Sequence, residues 1–427
     1  MKSLALVVSL NLLLFIHLSA QQPDKIYMPS IHSVKLFVSG NQSAYPIIQL
    51  NSVMSLELHF DDLSNNVKNY NYTYVLCDAN WIPVDLSAFD FLQGFTQGRL
   101  NQYRNSSVAK TSYVHYQALL PDKSCMPKLS GNYLLKVYLN GDTSKLAFTR
   151  RILVLDNILS IGAKVTQPFA TQLFRTHQKI QFTFDKTKLN VLNPQQQIKV
   201  VVLQNYRWDN AVKNIQPTFM RGNVFEYSSD NTVFPGGREY RWADLRSFRF
   251  QSERVDSANL NTLPFNVYLK PDPQRTNLRY VTYVDLNGAY EISATDVNNP
   301  WWQGDYANVH FTFVPQNAAA FSNEKVYLIG ELATGNCDNA ECELDYNPDR
   351  KIFEKTLLLK QGYYYYTYVT KSTNNKNSVI ETQDTEGNYS ETENSYTILV
   401  YYRSFSDRSD ELVGATTIDS RNMIQGQ

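Results

Sequence analysis

Histidines, cysteines and clustered carboxylates are the side chains with which a chain of this composition would do chemistry. Six histidines are present, and His17 lies in an apolar leader. The other five are His32, His59, His115, His177 and His310, scattered without the spacing that gathers metal ligands. No HExxH, GxSxG or GxxxxGK run occurs, so the sequence encodes no recognisable zinc peptidase helix, nucleophile elbow or phosphate loop. Asp61 and Asp62 are adjacent. On a strand they point to opposite faces, form no carboxylate pair, and are expected to start a turn into Ser64 and Asn65. Asp338, Glu341, Glu343 and Asp345 make an acidic loop without the glycine-bearing ligand spacing of a calcium loop. The reading is of a protein that is not an enzyme and uses no metal and no cofactor.

Four cysteines, Cys77, Cys125, Cys337 and Cys342, allow three pairings. Cys337 with Cys342 would close a small loop, and Cys77 with Cys125 would tie one domain. The alternative for Cys77 is a buried free thiol.

What remains is binding chemistry. Tyr240, Trp242, Phe248 and Phe250 share one parity and Arg241 and Arg249 the other. Such a pattern fits cation–π contacts with a partner, or arginines lying along a strand surface. Trp301 and Trp302 are neighbours, so on a strand both cannot point inward; one marks an interface, or the pair packs in a hinge between domains. Candidate partner contacts are therefore Trp81, Arg238, Arg241, Trp242, Trp301 and Trp302.

The elements that position these residues are strands. Tyr70, Tyr72, Tyr74 and Leu76 fall on one face, and Tyr133, Leu135, Val137 and Leu139 alternate in the same way. The Asn140-Gly141-Asp142 turn closes a hairpin onto residues 148–155. Strands expected over 33–38, 46–50, 55–60, 70–77, 114–120, 132–139 and 148–155 suit an immunoglobulin-like sandwich, with a Cys77–Trp81 pair in its core. The 83–113 excursion has no alternation, though Leu86, Phe89, Phe91, Leu92 and Phe95 form an apolar lip. Alternation restarts over 180–184 and 198–202, and Pro235-Gly236-Gly237 is a turn that can aim N–H groups outward. Strands over 265–269 and 280–284 precede an Asn287-Gly288 hairpin turn. The predicted fold class is all-β, in tandem immunoglobulin-like or E-set β-sandwich domains that are mostly antiparallel. Expected boundaries are a Sec signal peptide (1–20), a first sandwich (24–155), a second (156–300), a third (301–403) and a flexible tail (404–427).

Charge narrows the partners. Lysine plus arginine is 40 and aspartate plus glutamate is 40, so net charge is zero. That removes the electrostatic case for nucleic acid and leaves no basic patch for a membrane surface.

Longer ordered runs carry a resemblance. FDDLSNNVKNYNYTYVLCDANWIPVDLSAFDFLQGF (60–95) with SGNYLLKVY (130–138), then QNYRWDNA (204–211) and FPGGREYRW (234–242), resemble the type IX secretion system plug family. The resemblance implies a periplasmic, exported protein whose partner is a large outer-membrane barrel translocon, with no small-molecule substrate. The run LKQGYYYYTYV (359–369) is similar to a strand pair of glycogen-binding sandwiches, so an exported carbohydrate-binding or cell-surface adhesion protein is the alternative. Exposed tryptophans commonly stack on sugars in such modules, but all five tryptophans here precede residue 305.

Overall fold

The computed structural model describes residues 22–317, 321–333, 341–374 and 379–421. The expected signal peptide, Cys337 and Asp338 lie outside the described residues.

Strands dominate, and they pair into three two-sheet sandwiches. In the first, Ile31–Val38, Leu56–Asp62, Val114–Leu120 and Gln102–Asn105 form one sheet. The facing sheet runs Ile47–Gln49, Leu146–Leu155, Gly131–Leu139, Tyr70–Cys77 and Gly98–Arg99. Tyr70, Tyr72, Tyr74 and Leu76 enter the core between them, joined by Tyr133, Leu135 and Val137. Period-two alternation places these rings inward, and the tight turn at Asn140-Gly141, with φ of 54° and 72°, fixes their register.

The second sandwich is interrupted. One sheet holds Ile161–Thr166, His177–Asp185, Val224–Tyr227 and Phe219–Arg221, with Val233–Pro235 on a flank. The other holds Val212–Lys213, Ile198–Gln204, Ser395–Tyr402 and Glu411–Asp419. The chain thus leaves this sandwich after Pro235 and returns at Ser395. Everything between builds the third sandwich. Its sheets are Arg241–Asp244, Tyr363–Ser372, Tyr290–Glu291 and Glu324–Ile329 on one side. On the other are Val255–Asn259, Phe265–Leu269, Tyr306–Val314, Ile352–Lys360 and Asp345–Asn347, with Asp272–Pro273 on a flank.

This pairing crosses the boundaries expected at 300 and 403. The 265–269 strand pairs in parallel with Tyr306–Val314, so it belongs to the third sandwich. Residues 395–402 pair with 198–204, so they belong to the second. Part of the expected flexible tail is a strand: Glu411–Asp419 pairs along Ser395–Tyr402 and buries Leu412 and Val413. Only two strongly apolar residues sit together there, too few for alternation to stand out. No strand forms over 280–284, although the Asn287-Gly288 turn does, with φ of 52° and 85°. Tyr280 and Tyr283 are held there through their hydroxyls instead, Tyr280 donating to Glu239 Oε1 and Tyr283 to Tyr240 O at 2.9 Å.

Candidate functional site

The three sandwiches meet along buried seams. Between the first and second, the outward parity of each central strand is apolar too. Leu134 and Leu153 of the first pack on Val201, Leu203, Leu399 and Tyr401 of the second, while Val200, Val202, Ile398 and Val400 fill the second core. A strand buried on both faces reads as a continuous apolar run, as IKVVVLQ does. Cys77 and Trp81 sit in this seam rather than in the first core. Trp81 adopts φ of 67° and meets Trp208 edge-on, with ring centroids 5.0 Å apart. The Arg151 guanidinium lies about equally over both rings, at 5.0 and 5.1 Å. Polar bonds flank the apolar contact: Asp410 accepts from Ala79 N–H at 2.9 Å and from Lys199 Nζ at 2.8 Å.

The first and third sandwiches are joined by a buried ionic cluster. Asp61 is 1% exposed. Its Oδ2 accepts from Lys360 Nζ and from the Tyr306 hydroxyl, each at 2.5 Å. Its Oδ1 accepts from His115 Nδ1 at 2.7 Å, and His115 Nε2 lies 3.1 Å from His59 Nδ1. The His59 ring stacks on Trp301 at 3.9 Å. Lys360 also donates to the Trp301 carbonyl and lies 4.1 Å from the centre of the Tyr113 ring. Burial alone would raise the Asp61 pKa; Lys360 and His115 outweigh it and lower it. Burial, then the neighbouring His115, pushes His59 down to about 4, so this ring is neutral near neutral pH. The excursion after residue 98 completes the seam. The N–H groups of Lys110 and Thr111 donate to the Asp305 carboxylate, and Tyr113 donates to Gly304 O at 2.7 Å.

The neck where the chain enters and leaves the third sandwich is tied as well. Gly236 N–H donates to Thr176 O, and Gly237 N–H to Asn388 Oδ1. The Pro235-Gly236-Gly237 turn therefore aims its N–H groups inward, not outward. Beyond it, Arg241 pairs with Asp272 at 2.9 Å and with Glu386 at 2.9 Å, and Arg275 reaches Glu386 at 2.5 Å. Burial would raise the Glu386 pKa, but these two guanidinia hold it at about 2.

The predicted partner contacts are mostly inside the molecule. Trp81, Arg238 and Arg241 are buried, and Trp242, Trp301 and Trp302 are half-buried. Arg238 donates to the carbonyls of Arg275 and Arg279. Trp242 packs edge-on to Tyr283, and Trp302 lies under the Arg104 guanidinium at 4.6 Å. The NNPWWQ stretch is one helical turn, Pro300–Gln303, capped by the Asn299 side chain and packed in the seam. Its tryptophans pack between the third sandwich and the first, not in a linker between the second and third. Among the described residues no group of three or more metal-ligating side chains is placed to hold an ion.

Cys77 and Cys125 are free and buried in different clusters, Cys77 in the seam and Cys125 in the first core, so the possible bond between them does not form and Cys77 is the buried free thiol of the alternative reading. Burial raises their thiol pKa values to about 12 and about 11. Tyr364, Tyr366 and Tyr368, from the run likened to sugar-binding sandwiches, are core residues that present no ring to a glycan. Exposed aromatics appear instead on the apolar lip. Phe89 is 69% exposed and Phe95 70%, and Ile82, just before the lip in the chain, 61%, while Phe91 and Leu92 anchor the lip in the first core. The Asp61–His115–His59 cluster escaped sequence reasoning because His115 lies 54 residues from Asp61 and 56 from His59 in the chain. The polar residues within the buried strand run LELHFDD were the available signal.

Comparison with known proteins adds three findings. Residues 31–156 match the family model described as type 9 secretion system plug protein 1st domain. A solved structure of a hypothetical protein from Parabacteroides merdae ATCC 43184 is 32% identical and superposes with a TM-score of 0.88, covering 93% of this chain and 99% of that one. Trypsin-activated alpha-2-macroglobulin from Escherichia coli, 9% identical over 94% of this chain and 29% of that one, has a TM-score of 0.16, too low to carry an argument. No curated protein matches the sequence.

Proposed function

Since this chain belongs to the type 9 secretion system plug family, we propose that it docks reversibly on the periplasmic side of the outer-membrane barrel translocon and occludes its pore. The family match carries this reading. A wide barrel encloses an aqueous lumen, and a stopper for it must keep its shape against a load. The buried seams provide that stiffness, because moving one sandwich past another would strand the Asp61 carboxylate and expose the shared apolar layer. The mechanism is steric and needs no bond chemistry.

Docking uses the lip of the first sandwich. Ile82, Phe89 and Phe95 lie within the stretch matched by the family model and are exposed beyond what that sandwich's packing requires. A releasable contact of about 1,600 Å² with an aromatic centre and polar rim is the expected form. Among the described residues no helix is long and apolar enough to cross a membrane. The test is purification of the tagged native translocon from cells. The chain is expected in the complex; its consistent absence, including when export is blocked, would overturn the proposal.

A further inference from the structure

Two histidines are buried where the first sandwich meets the third. The sheet face that carries them points away from the first core. Lys35, His59 and Gln117 lie in register across it, and so do Asp61, His115 and Arg104. Trp301 of the third sandwich lies flat over His59 and reaches His115, with ring centroids 5.7 Å apart. The side-chain contacts form a chain from Asp61 through His115 and His59 to Glu57, at 2.7, 3.1 and 3.3 Å. Each contact is a hydrogen bond only while it holds one hydrogen. Two neutral imidazoles bring two hydrogens to three contacts. One added proton fills the third, leaving a His115 imidazolium against Asp61. A second added proton has no place. Both rings would then be imidazolium, and the facing nitrogens of His59 and His115 would point N–H groups at each other across 3.1 Å.

The surrounding groups send added protons to the rings and resist the second one. Burial works against the Asp61 and Glu57 carboxylates, but the donors around them outweigh it and hold both pKa values low. Glu57 accepts from Ser39 Oγ at 2.6 Å and Gly40 N–H at 3.0 Å. Cations face the rings from three other strands: Lys35 beside His59, Arg104 beside His115, and Lys360 on Asp61. Glu331 pairs with Lys35, and Asp305 is occupied by the N–H groups of Lys110 and Thr111, so neither carboxylate offsets a new charge on the rings. The Tyr306 hydroxyl donates to Asp61, and His32, in register with Asp61, donates to Pro29 O.

We propose that the Asp61–His115–His59–Glu57 chain is an acid-operated latch: the second proton parts the first sandwich from the third. The other junctions outlast it. The first and second sandwiches share an apolar layer, and the Glu386 carboxylate at the neck stays ionised until the pH approaches about 2. The third sandwich therefore turns on its neck and uncovers Trp301. Burial is the first cause that lowers both rings below the ordinary imidazole value near 6.5. Their contribution to the closed seam is thus complete above about pH 6.5 and is lost as the pH falls toward 4, where His59 takes its proton. This inference does not rest on the translocon reading.

The test is an acid titration of the full chain from about pH 7.5 to about pH 3.5, followed by tryptophan emission, far-ultraviolet circular dichroism and small-angle X-ray scattering. Emission is expected to fall and shift to the red in one step with its midpoint between about pH 4 and 6.5. The strand signal should stay constant through that step, and the maximum dimension should grow. W301F should remove most of the emission change. H59F keeps a ring against Trp301 and cannot titrate, so it should stay closed across the range. A parent whose scattering is the same at both ends would overturn the latch, whatever the variants do. So would an H59F titration that matches the parent's, or loss of strand signal together with the emission step, which would make the acid event unfolding of the whole chain.

Discussion

Replacing Asp61 by asparagine keeps the shape of the seam and removes its buried negative charge. Lys360 is then left fully buried with the Trp301 carbonyl and the faces of Tyr113 and Tyr306 as partners. Removing one member of a buried ion pair costs about 3–5 kcal/mol, because the survivor stays desolvated. K360M alone should cost less, since His115 and Tyr306 still donate to Asp61. D61N/K360M removes both charges, so it should be more stable than the two single losses predict when added. A coupling energy of about 2 kcal/mol or more is expected for groups in direct contact. Urea unfolding of all four proteins measures this, followed by tryptophan fluorescence and by far-ultraviolet circular dichroism. Trp301 is stacked on His59 inside the seam, so in D61N the fluorescence change should come at lower urea than the loss of strand signal. Two results would refute the reasoning: D61N within about 0.5 kcal/mol of the parent, the range of an ordinary surface substitution, or a double mutant that is simply additive.

Further predictions concern the neck, the ionic network and the lip. A Cβ on Gly236 would stand 1.9 Å from the Tyr389 carbonyl oxygen, so G236A should lower stability by more than about 2 kcal/mol by urea titration; a neutral effect would show the neck is not tightly closed. Glu386 has a folded pKa of about 2, below the ordinary glutamate value near 4.5, so its stabilisation is complete above about pH 4.5 and lost as pH falls toward 2. That loss is about 3 kcal/mol in order of magnitude, so urea midpoints measured from pH 6 to pH 2.5 should fall less steeply in E386Q than in the parent. Equal slopes would contradict the assignment. Phe89→Ser with Phe95→Ser should leave the melting temperature nearly unchanged, because both rings are exposed, yet reduce recovery of the chain with the tagged translocon by at least about tenfold. Undiminished recovery would move the docking face elsewhere.

The fold was legible where burial is one-sided. Tyr70, Tyr72, Tyr74 and Leu76 alternate because one face of their strand meets the core, and they occupy that core as the pattern demands. It was less legible where both faces are buried. Val200 to Leu203 form an unbroken apolar run whose second face meets another sandwich, and period-two reasoning has no place for that face. Chain order also misled: 395–402 and 411–419 belong with a strand far earlier in the chain, and no local signal encodes an insertion. Trp81, Arg238 and Arg241 are aromatic and basic groups suited to a partner. The partner of each lies within the chain, so the same chemistry was read at the wrong interface. Adjacent Asp61 and Asp62 read in the sequence as the start of a turn. Asp62 does take it, accepting from Ser64 N–H at 3.0 Å, but Asp61 turns the other way into the seam.

The central claim is occlusion, and electrical conductance tests it most directly. The purified barrel translocon, stripped of this chain and placed in a planar bilayer, should conduct steadily. Adding the intact chain to the periplasmic side should close channels in discrete steps, saturably, with reopening when the chain is washed away. A conductance that stays unchanged at saturating protein would contradict the account.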